Sequence, residues 1–204
     1  MHFPISTRTR NISYGWIECI VVLEDPRDVV EVLDYDPEWK FRFEIERALL
    51  ERTMGDLVSC FEHIGSTAVP ELPAKPVIDI LAGVTKQSTI SVYQERVAPL
   101  GYEYMRQDDE PQRIYFRKGM PRTYHLHIVI MGTDHFWDHL LFRDYMISHP
   151  AERQEYADLK RDLARRYADD REAYRKGKDR FIKSVLRRAR YESGPHGSQQ
   201  INKE

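Results

Sequence analysis

The run VIDILAGV, residues 77–84, constrains the fold of this chain more than any other segment. It is apolar almost throughout, as expected of a strand that is buried on both faces. Strand-like segments at residues 57–64, 113–117 and 124–131 accompany it, and the chain then becomes helical. This order predicts an α/β or α+β domain in which a mixed sheet is flanked by helices and followed by a helical C-terminal region.

Helix starts, breakers and apolar spacing predict the remaining elements. Residues 17–23 and 29–33 are further strand candidates. Asp36 and Pro37 predict a helix start, and Gly55 predicts the end of that helix. Further helices are predicted over residues 88–100, 134–149, 151–168 and 170–190. We therefore expect a lead-in over residues 1–28, one domain over residues 29–190, and a disordered tail over residues 191–204.

Composition excludes some classes of partner. The formal net charge of −2 gives no overall basic field, so nucleic acid is not an expected partner. No stretch approaches the roughly 18 apolar residues of a transmembrane helix, so no membrane partner is expected.

Cys19 and Cys60 are too few for a disulfide framework, and both lie in apolar runs typical of buried free thiols. With no secretory signal pattern at its start, the sequence predicts a cytoplasmic protein.

The loop GSTAVPELPAKP, between two predicted strands, carries the candidate binding residues. Gly65 lets a ligand approach the backbone closely, and Ser66 and Thr67 offer hydroxyl and N–H groups that suit phosphate oxygens. Lys75 brings a cation to the far end of the loop. Asp79 then stands in an apolar strand, where a lone carboxylate is costly unless it is paired, hydrogen-bonded, metal-bound or facing a cleft. The alternative is a simple chain reversal followed by an aspartate that caps a neighbouring loop.

The segment EHIGSTAVPELPAKPVIDI resembles the signature of the GrpB family. VEVLDYDPEW is similar to the opening segment of that family, RTYHLHIV to its central strand, and FRDYMISHP with YADLK to its helical end. The resemblance covers roughly residues 29–190. It implies a fold of the nucleotidyltransferase superfamily, in which Gly-Ser and nearby aspartates hold a nucleoside triphosphate and a divalent metal such as Mg²⁺. Some members resemble domains fused to dephospho-CoA kinase, which points to nucleotide or coenzyme A metabolism.

Two positions depart from the pattern of an active nucleotidyltransferase. Such enzymes carry two carboxylates two residues apart on one strand face and a third on a later strand, because two Mg²⁺ ions need several converging oxygen ligands. Strand alternation pairs Asp79 with Leu81, which cannot ligate a metal. On the later strand, His125 and His127 share a face, where they could ligate a metal, contact phosphate or move a proton. Alternatively, one is merely hydrogen-bonded and the other partly exposed.

Charged residues near these strands complete the candidate set. Glu62 and His63 are adjacent in a strand and face opposite ways, so at most one of them points into the cleft. Arg113, Arg117 and Arg122 are candidates for holding a triphosphate, because guanidinium groups bind phosphate oxygens in pairs.

Three hypotheses of function follow. The first is a metal-dependent nucleotidyltransferase that acts on a small-molecule acceptor. Its nucleoside triphosphate would lie on the Gly-Ser loop, Asp79 would bind Mg²⁺, and His125 or His127 would complete the metal site or act as the base. Its catalytic residues would be Asp79, His125 and His127, its metal ligands Asp79 and His127, and its phosphate-binding residues Gly65, Ser66, Thr67, Lys75, Arg113 and Arg122.

The other two hypotheses start from the positions that differ from the pattern of an active nucleotidyltransferase. Leu81 motivates a non-catalytic module that binds a nucleotide or a coenzyme A-like molecule without two-metal chemistry. His135 and His139, spaced i and i+4 on the next helix, motivate a metal hydrolase in which these two and the histidines of the later strand form a four-histidine zinc site.

Overall fold

The computed structural model describes residues 29–106 and 112–193. Its elements are α1 (Glu38–Met54), β1 (Cys60–Ile64), β2 (Ile78–Val84), α2 (Ile90–Val97), β3 (Tyr102–Tyr104), β4 (Arg113–Lys118), β5 (Tyr124–Ile130), α3 (Asp134–Ser148), α4 (Pro150–Arg166) and α5 (Arg171–Ser193). Short 3-10 turns occur at Gly55–Leu57, Ser66–Ala68 and Ala98–Leu100. The predicted lead-in with its strand at residues 17–23, and residues 194–204 of the predicted tail, lie outside the described residues.

The strands β2 and β5 form the centre of a mixed sheet. The strand order is β1-β2-β5-β4-β3, with β2 parallel to β5 and the other neighbouring pairs antiparallel. Every residue of β2 except Asp79 is buried, which explains why its sequence is apolar almost throughout. The predicted α+β class, with a mixed sheet flanked by helices and a helical C-terminal region, is confirmed.

The side chains of β2 alternate between two apolar clusters on opposite faces of the sheet. Ile78 and Ile80 lie on the face covered by α1 and α2. Leu81 lies on the other face, in a cluster that α3 covers and whose other buried members are Ile64, Val129, Phe136 and Leu140. Asp79 shares this second face with Leu81 because residues two apart in a strand point the same way. The carboxylate therefore faces the side of the sheet on which α3 lies.

The C-terminal helices enclose the proline-containing loop between β1 and β2. Val69 and Leu72 of this loop are fully buried in a cluster with residues of α3, α4 and α5, namely Tyr145, Met146, Tyr156, Ala157, Val185 and Ala189. Leu33 and Ala74 form a β-bridge that fastens the end of the loop. Packing from both sides, in addition to the prolines, thus fixes the loop that carries the predicted binding residues.

Residues 29–33 do not form the predicted strand. The N–H of Val30 donates to the carbonyl of Ala168, and the Val30 side chain packs with Leu163 and Tyr174. The segment therefore lies against α4 and α5 and is not part of the sheet. Its alternation of apolar and acidic residues reflects packing against helices on one side and exposure on the other.

The start and end predicted for the first helix are confirmed to within one residue. The N–H of Glu38 donates to Asp36 Oδ1 at 2.9 Å, and α1 begins directly after Pro37. Gly55 follows the last residue of α1.

Other boundaries differ from the sequence prediction. β1 begins at Cys60 instead of residue 57, because a 3-10 turn follows α1. No sequence pattern predicts β3, since three residues are too few for a periodicity and the strand forms by pairing with β4. α5 continues to Ser193, three residues beyond the predicted end of the last helix at residue 190.

Candidate functional site

The loop after β1 and the carboxylate of β2 meet at one end of the sheet. Ile64 is the register partner of Asp79, so Gly65, which follows it, lies directly beside that aspartate. Gly65 has φ 72° and ψ −171°, a conformation that residues with a Cβ rarely adopt. A Cβ built on Gly65 would overlap Asp79 Oδ2 and lie 3.1 Å from Asp79 Cγ. The chain therefore needs glycine here both for its backbone conformation and to leave room for the carboxylate.

Gly65→Ala tests this close approach. We expect it to lower the free energy of unfolding by about 2–4 kcal/mol, from backbone strain and from displacement of Asp79. Gly55→Ala is the matched control, because Gly55 also has a positive φ (53°, with ψ −127°) but a Cβ there would meet nothing within 4 Å. Urea unfolding of the two variants measures the difference. Equal losses of stability in both would contradict the proposed contact between residue 65 and Asp79.

One oxygen of Asp79 accepts two hydrogen bonds from histidines. His125 Nδ1 donates to Asp79 Oδ1 at 2.9 Å, and His127 Nε2 donates to the same oxygen at 3.3 Å. Burial opposes ionisation of Asp79, but the hydrogen bonds from His125 and His127 outweigh it and hold the pKa of this carboxyl well below its usual range. Within residues 29–106 and 112–193, no hydrogen bond is donated to Oδ2, and the side chain remains 27% exposed.

The two histidines differ in how their second nitrogen is used. Arg113 Nη1 lies 3.0 Å from His127 Nδ1. Since arginine has no acceptor, Arg113 donates this bond and the proton of His127 sits on Nε2, facing Asp79. For His125 the bond to Asp79 places the proton on Nδ1, and His125 Nε2 is buried with no hydrogen-bond partner among the described residues. His125 Nε2 therefore carries a lone pair that none of the described residues uses.

These histidines and Asp79 are the residues best placed to hold a cation. Within the described ranges, Asp79, His125 and His127 are the one group of three or more potential ligands whose atoms lie within 4.8 Å of one another. A metal on His127 Nε2 would require its proton to move to Nδ1, where Arg113 donates, so Arg113 would have to withdraw. Asp79 Oδ2 is the ligand atom that needs no such rearrangement.

The donor set suits one Mg²⁺ and not two. Mg²⁺ is commonly held by one or two carboxylates together with the phosphates of a substrate, and Asp79 Oδ2 supplies one such oxygen. Leu81 is fully buried in the apolar cluster under α3. Glu62 is the register partner of Leu81, but Arg143 Nη1 binds Glu62 at 2.7 Å and neutralises it. Among the described residues, Leu81 thus supplies no second carboxylate beside Asp79, and the carboxylate of Glu62 on the neighbouring strand is paired with Arg143.

The hydroxyl of Thr67 lies inside the loop and not toward the cleft. Thr67 is buried, its Oγ1 donates to the carbonyl of Val77 at 3.3 Å, and His63 Nε2 donates to Oγ1 at 3.0 Å. The His63 ring stacks on Phe43, 4.7 Å between ring centroids, on the face of the sheet opposite Glu62. The prediction that Glu62 and His63 face opposite ways is confirmed, and His63 and the Thr67 hydroxyl stabilise the loop.

Two lysines interact electrostatically with the carboxylate of Asp79. Burial and the repulsion of Arg122 lower the pKa of Lys75 to about 8, while the charge of Asp79 opposes this shift. Lys178 on α5, which no sequence pattern singles out, responds to the charges of both Asp79 and Lys75. Of the predicted cations, Lys75 thus responds to the charge of Asp79, and Arg122 acts on Lys75. Arg113, predicted to bind phosphate, instead reaches His127.

Tyr115 is a further residue of this cluster that sequence reasoning did not identify. Its ring centroid lies 5.3 Å from that of His125 and 5.2 Å from that of His127. The Arg113 guanidinium lies over the Tyr115 ring, 5.0 Å from its centroid. The register of β4 with β5 pairs Tyr115 with His127, and that register is not visible in the sequence. Tyr115 therefore flanks the histidine pair from the neighbouring strand β4.

The four histidines of the hydrolase hypothesis do not converge on one metal site. The rings of His127 and His139 are 5.6 Å apart, and those of His135 and His139 are 5.0 Å apart. The ligand atoms that do lie close together belong to Asp79, His125 and His127, and not to the histidines of α3. The four rings form a row in which His139 is a packing neighbour, so the predicted four-histidine zinc site is wrong.

Buried neutral histidines make the fold sensitive to acid. Burial lowers the pKa of His63 and His127 from 6.5 to about 4 and that of His139 to about 3. The unfolded chain therefore takes up more protons than the folded protein below pH 6.5, and stability falls as the pH drops from 6.5 toward 4. His127 alone accounts for about 3 kcal/mol at most.

Urea unfolding at pH 7 and pH 4.5 measures this acid sensitivity. We expect a lower free energy of unfolding at pH 4.5 and a smaller difference between the two pH values in His127→Gln. The lowered pKa of Asp79 confers stability that is lost only at still lower pH. Equal stability of the unsubstituted protein at both pH values would contradict the neutral, buried state of these rings.

The fold and the site together define a class: an α+β protein in which a Gly-Ser loop faces an aspartate that two strand histidines hold. The family model described as GrpB protein matches residues 29–188. A UPF0157 protein of Pseudomonas aeruginosa is 42% identical over 171 residues, 79% of this chain and 68% of that protein. The chain belongs to the GrpB family.

Other relatives agree with this assignment. The UPF0157 protein YqkA of Bacillus subtilis is 36% identical over 81% of this chain, and the match spans about half (48%) of YqkA. The crystal structure of GrpB from Enterococcus faecalis superimposes with a TM-score of 0.73 at 38% identity, covering 78% of this chain and 96% of that one. A dephospho-CoA kinase of Mycobacterium leprae is 27% identical over 76% of this chain and 45% of that protein.

Proposed function

We propose that this protein is a metal-dependent nucleotidyltransferase that acts on a small-molecule acceptor. The observation that carries the proposal is the close approach of the Gly65-Ser66 loop to Asp79. Asp79 Oδ1 orients His125, and Asp79 Oδ2 is left for a cation. The nucleotidyltransferase superfamily that the GrpB signature implies uses a Gly-Ser loop and an aspartate in this arrangement. The loop, Asp79 and His125 would each have a separate part in the reaction.

A nucleoside triphosphate would lie between the loop and the cations around Asp79. The hydrogen bonds of the 3-10 turn are donated by Ala68 and Val69, which leaves the N–H groups of Ser66 and Thr67 outside the bonds of the turn. The Ser66 hydroxyl, Lys75 and Arg122 supply further donors. Asp79 Oδ2 would hold a Mg²⁺ that arrives with the nucleotide, and this ion would neutralise charge on the phosphates.

His125 would act as the general base. The acceptor hydroxyl gives its proton to His125 Nε2, and the acceptor oxygen forms a bond to the α-phosphorus as the bond between the α-phosphorus and the bridging oxygen breaks. Pyrophosphate leaves. Asp79 orients the ring through Nδ1 and stabilises the imidazolium that forms, the role an aspartate plays beside a catalytic histidine. A histidine base removes the need for a second metal to activate the acceptor, which is consistent with leucine at position 81.

A second candidate is a non-catalytic module that binds a nucleotide or a coenzyme A-like molecule. It is favoured by Leu81 and by the ion pair of Glu62 with Arg143, which together leave one carboxylate in the cleft. This module would bind its ligand with little dependence on Mg²⁺ and would release no pyrophosphate. The similarity to a dephospho-CoA kinase makes coenzyme A derivatives suitable ligands to test.

A thermal-shift screen of nucleoside triphosphates and coenzyme A derivatives, with and without Mg²⁺, tests both candidates. A ligand at 100 times its Kd stabilises the folded protein by roughly 2.7 kcal/mol, which a melting curve resolves. Stabilisation by a triphosphate that requires Mg²⁺ supports the transferase, and stabilisation without it favours the binding module. No stabilisation by any of these ligands would contradict both.

Two expectations about partners and location stay predictions. No nucleic acid or membrane partner and a cytoplasmic location were expected from the sequence. Among the described residues, none of the helices is long and apolar enough to cross a membrane.

A further inference from the structure

The register of the sheet places a row of polar residues across the face that carries Asp79. Asp79 is the register partner of His125, His125 of Arg117, and Arg117 of Glu103. Directly opposed residues of neighbouring strands project from the same face, so these four side chains lie next to one another across β2, β5, β4 and β3. The row begins at the Gly-Ser loop, whose first residue follows the register partner of Asp79.

The part of this face that belongs to β4 is not packed into a core. Ile114 and Phe116 point to the opposite face, where they are buried in the cluster under α1 and α2. Arg113, Tyr115 and Arg117 alternate with them and are all partly exposed. Arg113 and Tyr115 contact the histidine pair. Arg117, the next residue along this face, lies directly beside His125 on the neighbouring strand.

Arg117 is held by a weak ion pair. Its Nε lies 3.9 Å from Glu103 Oε2, which is long for such a pair, and the Glu103 side chain is 73% exposed. Exposed pairs of this kind contribute little to stability. A guanidinium group carries paired N–H donors that match two oxygens of a carboxylate or a phosphate. An anionic ligand can therefore replace Glu103 on Arg117 at little cost.

The position of Arg117 in the row assigns it to the acceptor and not to the nucleotide. β4 is three strands away from β1, which places Arg117 about 14 Å from the strand that leads into the Gly-Ser loop. The Cβ atoms of Arg117 and His125 are about 4.5–5.5 Å apart, as in any directly opposed pair, so one small molecule can touch both side chains. The proposed nucleotide lies between the loop and Asp79, and Arg117 lies beyond the base on the other side.

We propose that Arg117 binds an anionic group of the acceptor, so that the acceptor is a hydroxyl compound that carries a carboxylate or a phosphate. The proposal rests on the proposed function in calling this ligand the acceptor. Arg117 would hold the anionic group while the hydroxyl group faces His125. Glu103 would be the competing anion, which pairs with Arg117 when no ligand is bound. The triphosphate-binding role that the sequence predicts for Arg117 is replaced by this one.

Calorimetric titration of the full chain with glycerol 3-phosphate, glycerate and glycerol tests the subsite without requiring any reaction. The three probes share a carbon skeleton and differ in carrying a phosphate, a carboxylate or no charge. We expect at least one of the two anions to bind and glycerol not to bind. The anion that binds more tightly identifies the group that the acceptor carries.

Two variants should change the affinity for the bound anion in opposite directions. Arg117→Gln should weaken binding at least about tenfold, because it removes the charged donors. Glu103→Gln should strengthen binding about two- to fivefold, because it removes the competing carboxylate. Arg52→Gln is the matched control, since Arg52 is exposed near the end of α1, which covers the opposite face of the sheet; it should bind like the unsubstituted protein. Far-UV circular dichroism and melting curves establish that each variant is folded.

The possible results separate this proposal from the proposed function. Equal anion affinity in Arg117→Gln and the unsubstituted protein, or no binding of either anion to the latter, would overturn the subsite. Anion binding that is lost in Arg117→Gln, without pyrophosphate release from any nucleoside triphosphate, would support the subsite and contradict the transferase. Pyrophosphate release with an unchanged KM for an anionic acceptor in Arg117→Gln would do the reverse.

Discussion

Asp79→Asn should reduce Mg²⁺-dependent pyrophosphate release by on the order of 10³-fold or more while the protein remains folded. Asparagine fills the same volume beside Gly65 and can still accept a hydrogen bond from His125. It removes the negative charge that would hold Mg²⁺ and stabilise a protonated His125. Because the pKa of Asp79 is held well below its usual range, the folded state favours the ionised carboxylate, and we also expect a moderate loss of stability.

The matched control for this variant is Asp56→Asn. Asp56 is an exposed aspartate in the turn after α1 and contacts none of the candidate site residues. Its variant should release pyrophosphate at the unsubstituted rate. Circular dichroism and a cooperative melting curve establish that Asp79→Asn is folded. Full activity in a folded Asp79→Asn would contradict the mechanism.

His125→Gln should lower kcat for pyrophosphate release by about 10²–10⁴-fold, the usual contribution of a general base. Glutamine can donate a hydrogen bond to Asp79 but offers no lone pair of comparable basicity. Because His125 acts on the acceptor, we expect the KM for the nucleotide to change little.

His149→Gln controls for the loss of a histidine as such. The His149 ring stacks on Tyr145 at the junction of α3 and α4, 3.7 Å between centroids, away from the carboxylate. Steady-state kinetics compare the two variants. If His125→Gln kept the rate of the unsubstituted protein, the base would have to be another residue.

The sequence predicts those parts of the fold that depend on local patterns. The apolar run of β2, the start of α1 at Asp36 and the shared face of His125 and His127 follow from periodicity and capping, and the structure confirms them. The same patterns mislead where tertiary packing overrides them. Residues 29–33 alternate like a strand because they lie against helices, and three-residue β3 forms only because β4 is present.

Some residues of the candidate site can likewise be predicted from local patterns, and others cannot. Gly65 and Asp79 are predictable because Gly65 follows one recognisable strand and Asp79 lies in the next, and the family signature joins them. The roles of Arg113 and Tyr115 depend on the register of β4 with β5. These are contacts between distant parts of the chain, which no local spacing encodes. The same reason explains why Thr67, predicted to face a phosphate, has its hydroxyl inside the loop.

Pyrophosphate release distinguishes a transferase from a binding module most directly. The unsubstituted protein is incubated with each nucleoside triphosphate, Mg²⁺ and a mixture of small-molecule acceptors, and Asp79→Asn serves as the blank. We predict pyrophosphate release that requires Mg²⁺ and an acceptor and that is lost in the blank. Mg²⁺-independent binding of a nucleotide or a coenzyme A derivative, with no pyrophosphate released above the blank, would contradict the proposed transferase.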